Sequence, residues 1–294
     1  MAPTGSSFFE RGRLDTDLLS GPLEFAVVRP ATDEDGLPLI YLFHGAGGTT
    51  QTLINNRALI EDAWAKGMLP PCVVVTPSTG QSLPINHRDG SERWEDAFLG
   101  PLFDQVGRAY GASALYSRCA LAGLSTGGAA ALRMALKQPT AFAAVAALAP
   151  RIEAALRLTD LEPASGTWAE EQEFSSVYGS PPDEEYWAAN NPASIVTRHA
   201  EEIRGSGLRI FLECGDADSF GLHRGAELLH RCLFDSGIDH EYHLIHGADH
   251  VGESLAARTL AALQFIGDVF DPPPPDHSVG VLRSLVSHRQ EASL

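Results

Sequence analysis

The chain has 294 residues, 44% of them hydrophobic, so it can bury one large core or two modest ones. Acidic residues outnumber basic ones by 38 to 21, and the formal net charge of -17 argues against nucleic acid or an anionic membrane as a partner. No stretch approaches the roughly 18 consecutive apolar residues of a membrane-spanning helix.

The N-terminal segment and the cysteines bear on the cellular compartment. Residues 1–13 lack the apolar core of a signal peptide, so nothing in them predicts export. The cysteines are irregularly spaced and form no CxxC pair. They are Cys72, Cys119, Cys214 and Cys232. This pattern favours buried free thiols over disulfides or a metal site. We therefore expect a cytoplasmic protein.

Short apolar runs alternate with helix-like stretches along most of the chain. Several runs lack polar alternation, as expected for strands that are covered on both faces. The predicted strands are 23–28, 39–43, 72–76, 118–122, 143–148, 208–213 and 241–245. The predicted helices are 56–66, 95–110, 126–137, 222–235 and 253–269. This order predicts an α/β fold with a mostly parallel sheet and helices on both faces.

One segment, 151–204, interrupts this alternation. It is acidic and carries the aromatic residues Trp168, Tyr178, Tyr186 and Trp187, among others. We interpret it as an insertion over the sheet edge, within a single domain that spans 1–270. Four prolines at 272–275 end the last helix and begin a tail, 271–294. That tail either docks on this or a neighbouring subunit, which would give a homo-oligomer, or is disordered.

The stretch GLSTG, from Gly123 to Gly127, matches the pattern G-x-S-x-G. A sharp turn from strand to helix strains the backbone of the central serine, and the flanking glycines prevent clashes with the neighbouring chain. The predicted strand 118–122 and helix 126–137 supply that context. Ser125 is therefore the candidate nucleophile, although short Gly/Ser motifs also occur in ordinary turns.

An alkoxide-forming serine needs a base, and that base needs a carboxylate to hold its tautomer. In a sheet of this kind, the acid and then the histidine should follow later strands. Asp218 lies just beyond strand 208–213, with Asp216 as its rival, and capping of the next helix is the other role open to both. His250 lies between the last strand and the last helix, where it is the candidate base.

A glycine-rich stretch, HGAGG at 44–48, follows the predicted strand 39–43. Acyl transfer needs two backbone N–H groups that bind the tetrahedral oxyanion. Thr126 should supply one of them, and the other should come from Ala46, with Gly47 as the alternative. A phosphate-binding loop is disfavoured, because the P-loop Lys-Ser/Thr and the G-x-G-x-x-G spacing are both missing.

Three further histidines near His250 raise the question of a metal site: His240, His243 and His246. Strand alternation sends His243 to the opposite face from the other two. Since no cysteine or carboxylate completes a ligand set, we expect neither a metal nor a cofactor.

Four separated pieces share their order and spacing with one family: GLPLIYLFHGAGG, GMLPPCVVVTP, CALAGLSTGG and FLECGDADSF with GADH. Together, over about 21–268, they resemble the putative-esterase branch of the α/β-hydrolase superfamily, which includes esterase D-like and S-formylglutathione hydrolase-like enzymes, feruloyl esterases and mycolyltransferases. The resemblance implies an α/β-hydrolase fold and hydrolysis of a small-molecule carboxylic ester. It also implies Ser125 as nucleophile, His250 as general base and acid, and Asp218 as the orienting carboxylate.

Two alternatives stay open. The chain could transfer an acyl group to an alcohol instead of water, or it could be a non-catalytic binding protein on a hydrolase scaffold. Substrate contacts are also open: the aromatic residues of 151–204 could form a wall for an aryl or acyl group or belong to the core. Arg88 and Arg93 in the loop 86–98 could meet a substrate carboxylate, although solvated surface charge is the favoured interpretation.

Overall fold

The computed structural model describes residues 7–161 and 171–274. Its strands are β1 (Phe8–Leu14), β2 (Leu23–Arg29), β3 (Leu39–Phe43), β4 (Val73–Pro77), β5 (Cys119–Leu124), β6 (Ala144–Leu148), β7 (Arg209–Gly215) and β8 (Glu241–Ile245). They form one eight-stranded sheet in the order β1-β2-β4-β3-β5-β6-β7-β8. The pairs β1–β2 and β2–β4 are antiparallel, and all the other pairs are parallel.

The helices are α1 (Gln51–Ala65), α2 (Trp94–Ala97), α3 (Phe103–Tyr110), α4 (Thr126–Lys137), α5 (Glu171–Tyr178), α6 (Glu184–Ala188), α7 (Pro192–Arg198), α8 (Ala200–Ser206), α9 (His223–Asp235) and α10 (Leu255–Phe270). A π-helical turn, Phe98–Leu102, joins α2 to α3. In the described parts of the chain, no helix is long and apolar enough to cross a membrane.

Alternation along the strands builds a separate core on each face of the sheet. In β3, Tyr41 and Phe43 belong to the core that α3, α4, α7 and α9 cover, whereas Ile40 and Leu42 belong to the core beneath α1 and α10. All seven predicted strands are present, and the predicted α/β fold with helices on both faces is confirmed. The cysteines are free and buried, as predicted.

The first strand, β1, was not predicted. Its sequence, FFERGRL, is mostly exposed at the edge of the sheet and contains three charged residues, so it carries no continuous apolar run. The first predicted helix also begins earlier than expected, at Gln51 instead of residue 56. Both differences arise where polar residues occupy regular structure on the surface.

The segment 151–204 contributes α5 to α7 and part of α8. Helix α7 packs against α4 and α9, so this part of the segment contributes to the layer that covers the sheet. Tyr178 and Trp187 pack in a small cluster of their own near Ala155. Trp168 and the tail from residue 275 onward lie outside the described residues.

Candidate active site

Ser125 is the single residue that joins β5 to α4. Its φ of 57° and ψ of -120° lie outside the usual regions for a residue with a side chain. Two backbone hydrogen bonds hold this conformation: the Ser125 N–H donates to Leu148 O at 2.9 Å, and the Arg151 N–H donates to Ser125 O at 2.9 Å. The structure thus places Ser125 at the carboxyl edge of the sheet, on a strained turn.

The two glycines of GLSTG are required by close packing of the backbone. A Cβ added to Gly123 would lie 2.7 Å from the nitrogen of Gly128, and one added to Gly127 would lie 2.6 Å from the carbonyl oxygen of Phe43. Neither backbone atom can move away as a flexible side chain would. The predicted steric reason for the glycines is therefore confirmed.

His250 and Asp218 form a buried pair at the same edge of the sheet. His250 Nδ1 lies 2.8 Å from Asp218 Oδ2, and the side chains are 9% and 0% exposed. Asp218 Oδ1 accepts hydrogen bonds from the N–H of Phe220 at 2.9 Å and from that of Leu222 at 3.3 Å. These contacts fix the carboxylate, and the carboxylate in turn selects the tautomer with the proton on Nδ1, leaving Nε2 as a proton acceptor.

The rival carboxylate, Asp216, has different partners. It accepts from the N–H of Gly247 at 2.6 Å and lies 2.8 Å from Nδ1 of His246, whose side chain is 99% exposed. Of the other histidines, His240 pairs with His230, and His243 stacks on Phe211. Within residues 7–161 and 171–274, no group of three or more His, Cys, Asp or Glu residues could hold a metal ion.

Sequence reasoning missed Asp249, which joins the two loops that carry Asp218 and His250. Its carboxylate accepts from the N–H and the hydroxyl of Ser219 at 2.7 and 2.6 Å, and from the N–H of His250 at 2.6 Å. Its hydrogen bonds with Ser219, followed by the one from the His250 N–H, lower the pKa of Asp249 to about 2. The only sequence signal is its position immediately before the histidine.

A buried ion pair also holds the loop that carries Asp249 and His250. Arg258 of α10 donates to Glu213 Oε1 at 2.6 Å, and the two side chains are 3% and 1% exposed. The third nitrogen of the Arg258 guanidinium, Nη1, donates to the carbonyl oxygen of Asp249 at 2.8 Å. Glu213 is the one charged residue within the buried part of β7, and that interruption is the signal by which the sequence could have indicated a buried charge.

The loop after β3 contains both candidate N–H donors, Ala46 and Gly47. The Gly47 N–H donates to Gly80 O at 2.8 Å, so it is already engaged. The N–H groups of Ala46 and Thr126 have no acceptor among the described residues, and both residues line the cleft that contains Ser125. Of the two residues considered for the loop donor, Ala46 is therefore the one whose N–H has no acceptor among the described residues.

His44 orients that loop. Its Nε2 accepts a hydrogen bond from the Thr79 N–H at 3.0 Å, so the ring proton is on Nδ1, which donates to Gly45 O at 2.7 Å. In a planar trans peptide the carbonyl and the following N–H point in opposite directions. Holding Gly45 O against the ring therefore turns the Ala46 N–H away from it.

The cleft has a volume of about 480 Å³. Ser125 and His250 both line it, together with an apolar wall of Leu124, Phe220, Leu222 and Val251 and the polar residues Gln81 and Arg151. Phe220 packs edge-on against the His250 ring, with the ring centroids 4.8 Å apart. The cleft thus brings Ser125 and His250 to one largely apolar space, together with Ala46 and Thr126, whose N–H groups have no acceptor among the described residues.

The loop 86–98 contributes no arginine to this cleft. Arg88 pairs with Asp183 at 2.8 Å, and Arg93 pairs with Asp96 at 2.6 Å, with both arginines about half exposed. The interpretation as solvated surface charge is the one that the structure supports.

The comparisons with known proteins agree with this geometry. The family model described as "Putative esterase" matches residues 18–257. A ferulic acid esterase superimposes with a TM-score of 0.75 at 19% identity, over 90% of this chain and 98% of that one. An S-formylglutathione hydrolase from Agrobacterium tumefaciens gives a TM-score of 0.72 at 20% identity, over 90% and 96% of the two chains.

No curated protein matches the sequence significantly. At identities of 20% and below, the solved structures establish the α/β-hydrolase fold, and the family model, which covers most of the chain, establishes the family. The chain therefore belongs to the putative esterase family of α/β-hydrolases and is a carboxylic ester hydrolase.

Proposed function

We propose that Ser125, His250 and Asp218 form the catalytic triad of this esterase. The observation that carries the proposal is the buried 2.8 Å contact between His250 Nδ1 and Asp218 Oδ2, beside a cleft that both His250 and Ser125 line. With Nδ1 held by the carboxylate, Nε2 of His250 accepts the hydroxyl proton of Ser125 as the serine oxygen attacks the ester carbonyl.

The tetrahedral intermediate places a negative charge on the former carbonyl oxygen. We propose that the N–H groups of Ala46 and Thr126 bind this oxyanion, because both are unengaged and both residues line the cleft. Donors that are fixed before the reaction need no reorganisation as the charge develops, which is how such a site lowers the barrier.

The reaction then proceeds in two halves. The intermediate collapses, the bond to the alcohol oxygen breaks, and the imidazolium of His250 gives its proton to the leaving alkoxide, which leaves an acyl group on Ser125. Water enters, loses a proton to His250 and attacks the acyl carbonyl. Collapse of the second intermediate returns that proton to Ser125 and releases the carboxylic acid.

The family match favours hydrolysis over transfer to another alcohol. We also propose that the protein is cytoplasmic, because its cysteines are free and buried, as expected in a reducing compartment. The single hydrolase domain over 1–270, with 151–204 as its insertion, remains part of the proposal.

Replacement of Ser125 by alanine tests the role of the serine. We expect kcat for p-nitrophenyl acetate to fall by about 10⁴-fold or more, since removal of the nucleophile leaves only the oxyanion site and binding. The thermal melting curve should stay close to that of the wild type, and a fluorophosphonate probe should no longer label the protein.

Ser236→Ala is the matched control, because Ser236 lies beyond α9 and does not line the cleft. Wild-type turnover by Ser125→Ala would contradict the proposal. A wild-type protein that neither turns over esters nor reacts with the probe would support the non-catalytic alternative instead.

A further inference from the structure

A second, smaller cavity of about 60 Å³ lies next to the catalytic cleft. Thr126 and Ala129, from the first turn of α4, form part of its wall, and Thr126 and Arg151 line both spaces. A single water needs roughly 10–15 Å³ of such a volume. The cavity therefore has room for a group about the size of a carboxylate, directly beside the cleft that contains Ser125.

Arg133 of α4 lines this cavity, and its side chain is only 8% exposed. Its Nε donates to Glu95 Oε1 at 2.6 Å, and its Nη2 donates to Pro84 O at 2.7 Å. Its remaining nitrogen, Nη1, has no acceptor among the described residues. Nη1 can therefore donate a hydrogen bond to a group bound in the cavity.

The Glu95 carboxylate is shared between two cations. One oxygen accepts from Arg133, and the other accepts from Lys137 Nζ at 2.8 Å. Burial alone would raise the pKa of Glu95, but the charges of Arg133 and Lys137 hold it below its usual value. Lys137 also donates to the side chain of Asn190. This clamp fixes the Arg133 guanidinium and leaves its positive charge available to the cavity.

The other polar residues of the wall also favour an anion. Burial raises the pKa of Tyr178 to about 12, so its hydroxyl stays protonated and can donate. Arg151 adds a second guanidinium to the wall. The only carboxylate among the described lining residues is that of Glu153, and burial raises its pKa against the opposing effect of Arg151. Cationic groups and donors therefore predominate over a single carboxylate whose charged form is disfavoured.

We infer that this cavity is an anion subsite, in which Arg133 and the Tyr178 hydroxyl bind a carboxylate that the ester substrate carries away from its scissile bond. The inference rests on the proposed function, because it assumes that the ester is bound in the adjoining cleft. It assigns to this esterase substrates such as half-esters of dicarboxylic acids or esters of carboxylated alcohols. The test distinguishes these two, since the carboxylate is on the acyl part in one and on the alcohol part in the other.

The experiment compares kcat/KM for pairs of esters of similar shape. On the acyl side the pair is p-nitrophenyl hydrogen glutarate and p-nitrophenyl pentanoate, and on the alcohol side it is 4-carboxyphenyl acetate and 4-methylphenyl acetate. We expect the wild type to prefer the charged member of one pair by about 10-fold or more, the usual range for a hydrogen bond to a charged group. The measured quantity is the ratio of kcat/KM for the charged ester to that for the neutral one.

Arg133→Gln and Tyr178→Phe should each lower that ratio, and Arg133→Lys should recover part of it. Arg157→Gln is the matched control, because Arg157 is 77% exposed, pairs with Asp160 and does not line the cavity. Should Arg133→Gln fail to fold, Tyr178→Phe still decides the matter, since it removes one hydroxyl only.

A wild type that hydrolyses the neutral esters without preferring either charged ester would overturn the subsite and leave the proposed function intact. A wild type that hydrolyses none of the four would overturn the proposed function.

Discussion

Replacement of His44 by phenylalanine tests how the proposed oxyanion donor, the Ala46 N–H, is oriented. His44 is 4% exposed, and its two ring nitrogens bond Gly45 O at 2.7 Å and the Thr79 N–H at 3.0 Å. Phenylalanine keeps most of the ring volume and removes both hydrogen bonds. The carbonyl of Gly45 is then free to rotate, and the Ala46 N–H rotates with it because the peptide is planar.

The expected magnitudes follow from these contacts. Two lost hydrogen bonds at about 1 kcal/mol each lower the free energy of unfolding by about 2 kcal/mol. Loss of one oxyanion donor lowers kcat by about 10² to 10³. Since the donor acts on the transition state, KM should change much less than kcat. His44→Asn should recover part of kcat, because its amide can still donate toward Gly45 O.

The assay is steady-state hydrolysis of p-nitrophenyl acetate together with a thermal melt. His246→Phe is the matched control, because that side chain is 99% exposed and its one partner among the described residues is Asp216. If His44→Phe folds like the wild type and keeps kcat within about twofold, far less than one lost donor implies, the argument about Gly45 and Ala46 is wrong.

The protonation state of His44 adds a pH dependence. Burial lowers the pKa of His44, although its bond to Gly45 opposes this, so the folded protein favours the neutral ring. A lowered histidine pKa contributes stability that is complete above the usual value of about 6.5 and is lost as the pH falls through the folded-state value. We therefore expect the wild type to lose more stability than His44→Phe between pH 7 and 5, as measured by chemical denaturation.

Three further changes test the surroundings of the site. Gly127→Ala should lower both Tm and kcat, because the added Cβ would lie 2.6 Å from a backbone oxygen. Gly205→Ala is the control: its Cβ would have no atom within 4 Å, so kcat should not change and Tm in a thermal melt should stay the same or rise slightly. Glu213→Gln should cost about 3 to 5 kcal/mol in urea unfolding, because it leaves a buried arginine unpaired, and Asp15→Asn at an exposed pair should cost little. Asp249→Ala should lower kcat by loosening the histidine loop. In the wild type the pKa of Asp249 is about 2, so its carboxylate stays ionised and keeps its hydrogen bonds above pH ~4 and is protonated only near pH 2. A pH-rate profile should therefore show no step from Asp249 at higher pH.

The sequence predicted the sheet and the three candidate catalytic residues because both depend on local patterns. Apolar runs mark strands that are covered on both faces, and the residues after those strands lie at one edge of a parallel sheet. Ser125, Asp218 and His250 each follow a different strand in the order that the fold requires. That order could be read without knowing any contact between them.

The preference for Ala46 over Gly47 was predicted, but its physical basis could not be read from the sequence. It depends on a hydrogen bond from Gly47 to Gly80, in a loop that follows another strand. The same holds for the arginines: Arg88 and Arg93 are next to the site in the predicted order of elements but turn to surface carboxylates. The local sequence around a charged residue in a loop or helix does not indicate which residue will pair with it.

The buried ion pairs near the site are the feature that local sequence patterns did not predict. Arg133 pairs with Glu95 and Arg258 pairs with Glu213, and all four side chains are at most 8% exposed. Apolar residues of similar volume commonly replace such pairs with no loss of stability, so stability alone does not explain them. Arg133 lies on the helix that begins immediately after Ser125, and Arg258 bonds the carbonyl that precedes His250. We therefore expect the Arg258 pair to hold the loop of the proposed base His250, and the Arg133 pair to fix the guanidinium of the proposed anion subsite, since both roles require directional hydrogen bonds that an apolar core cannot provide.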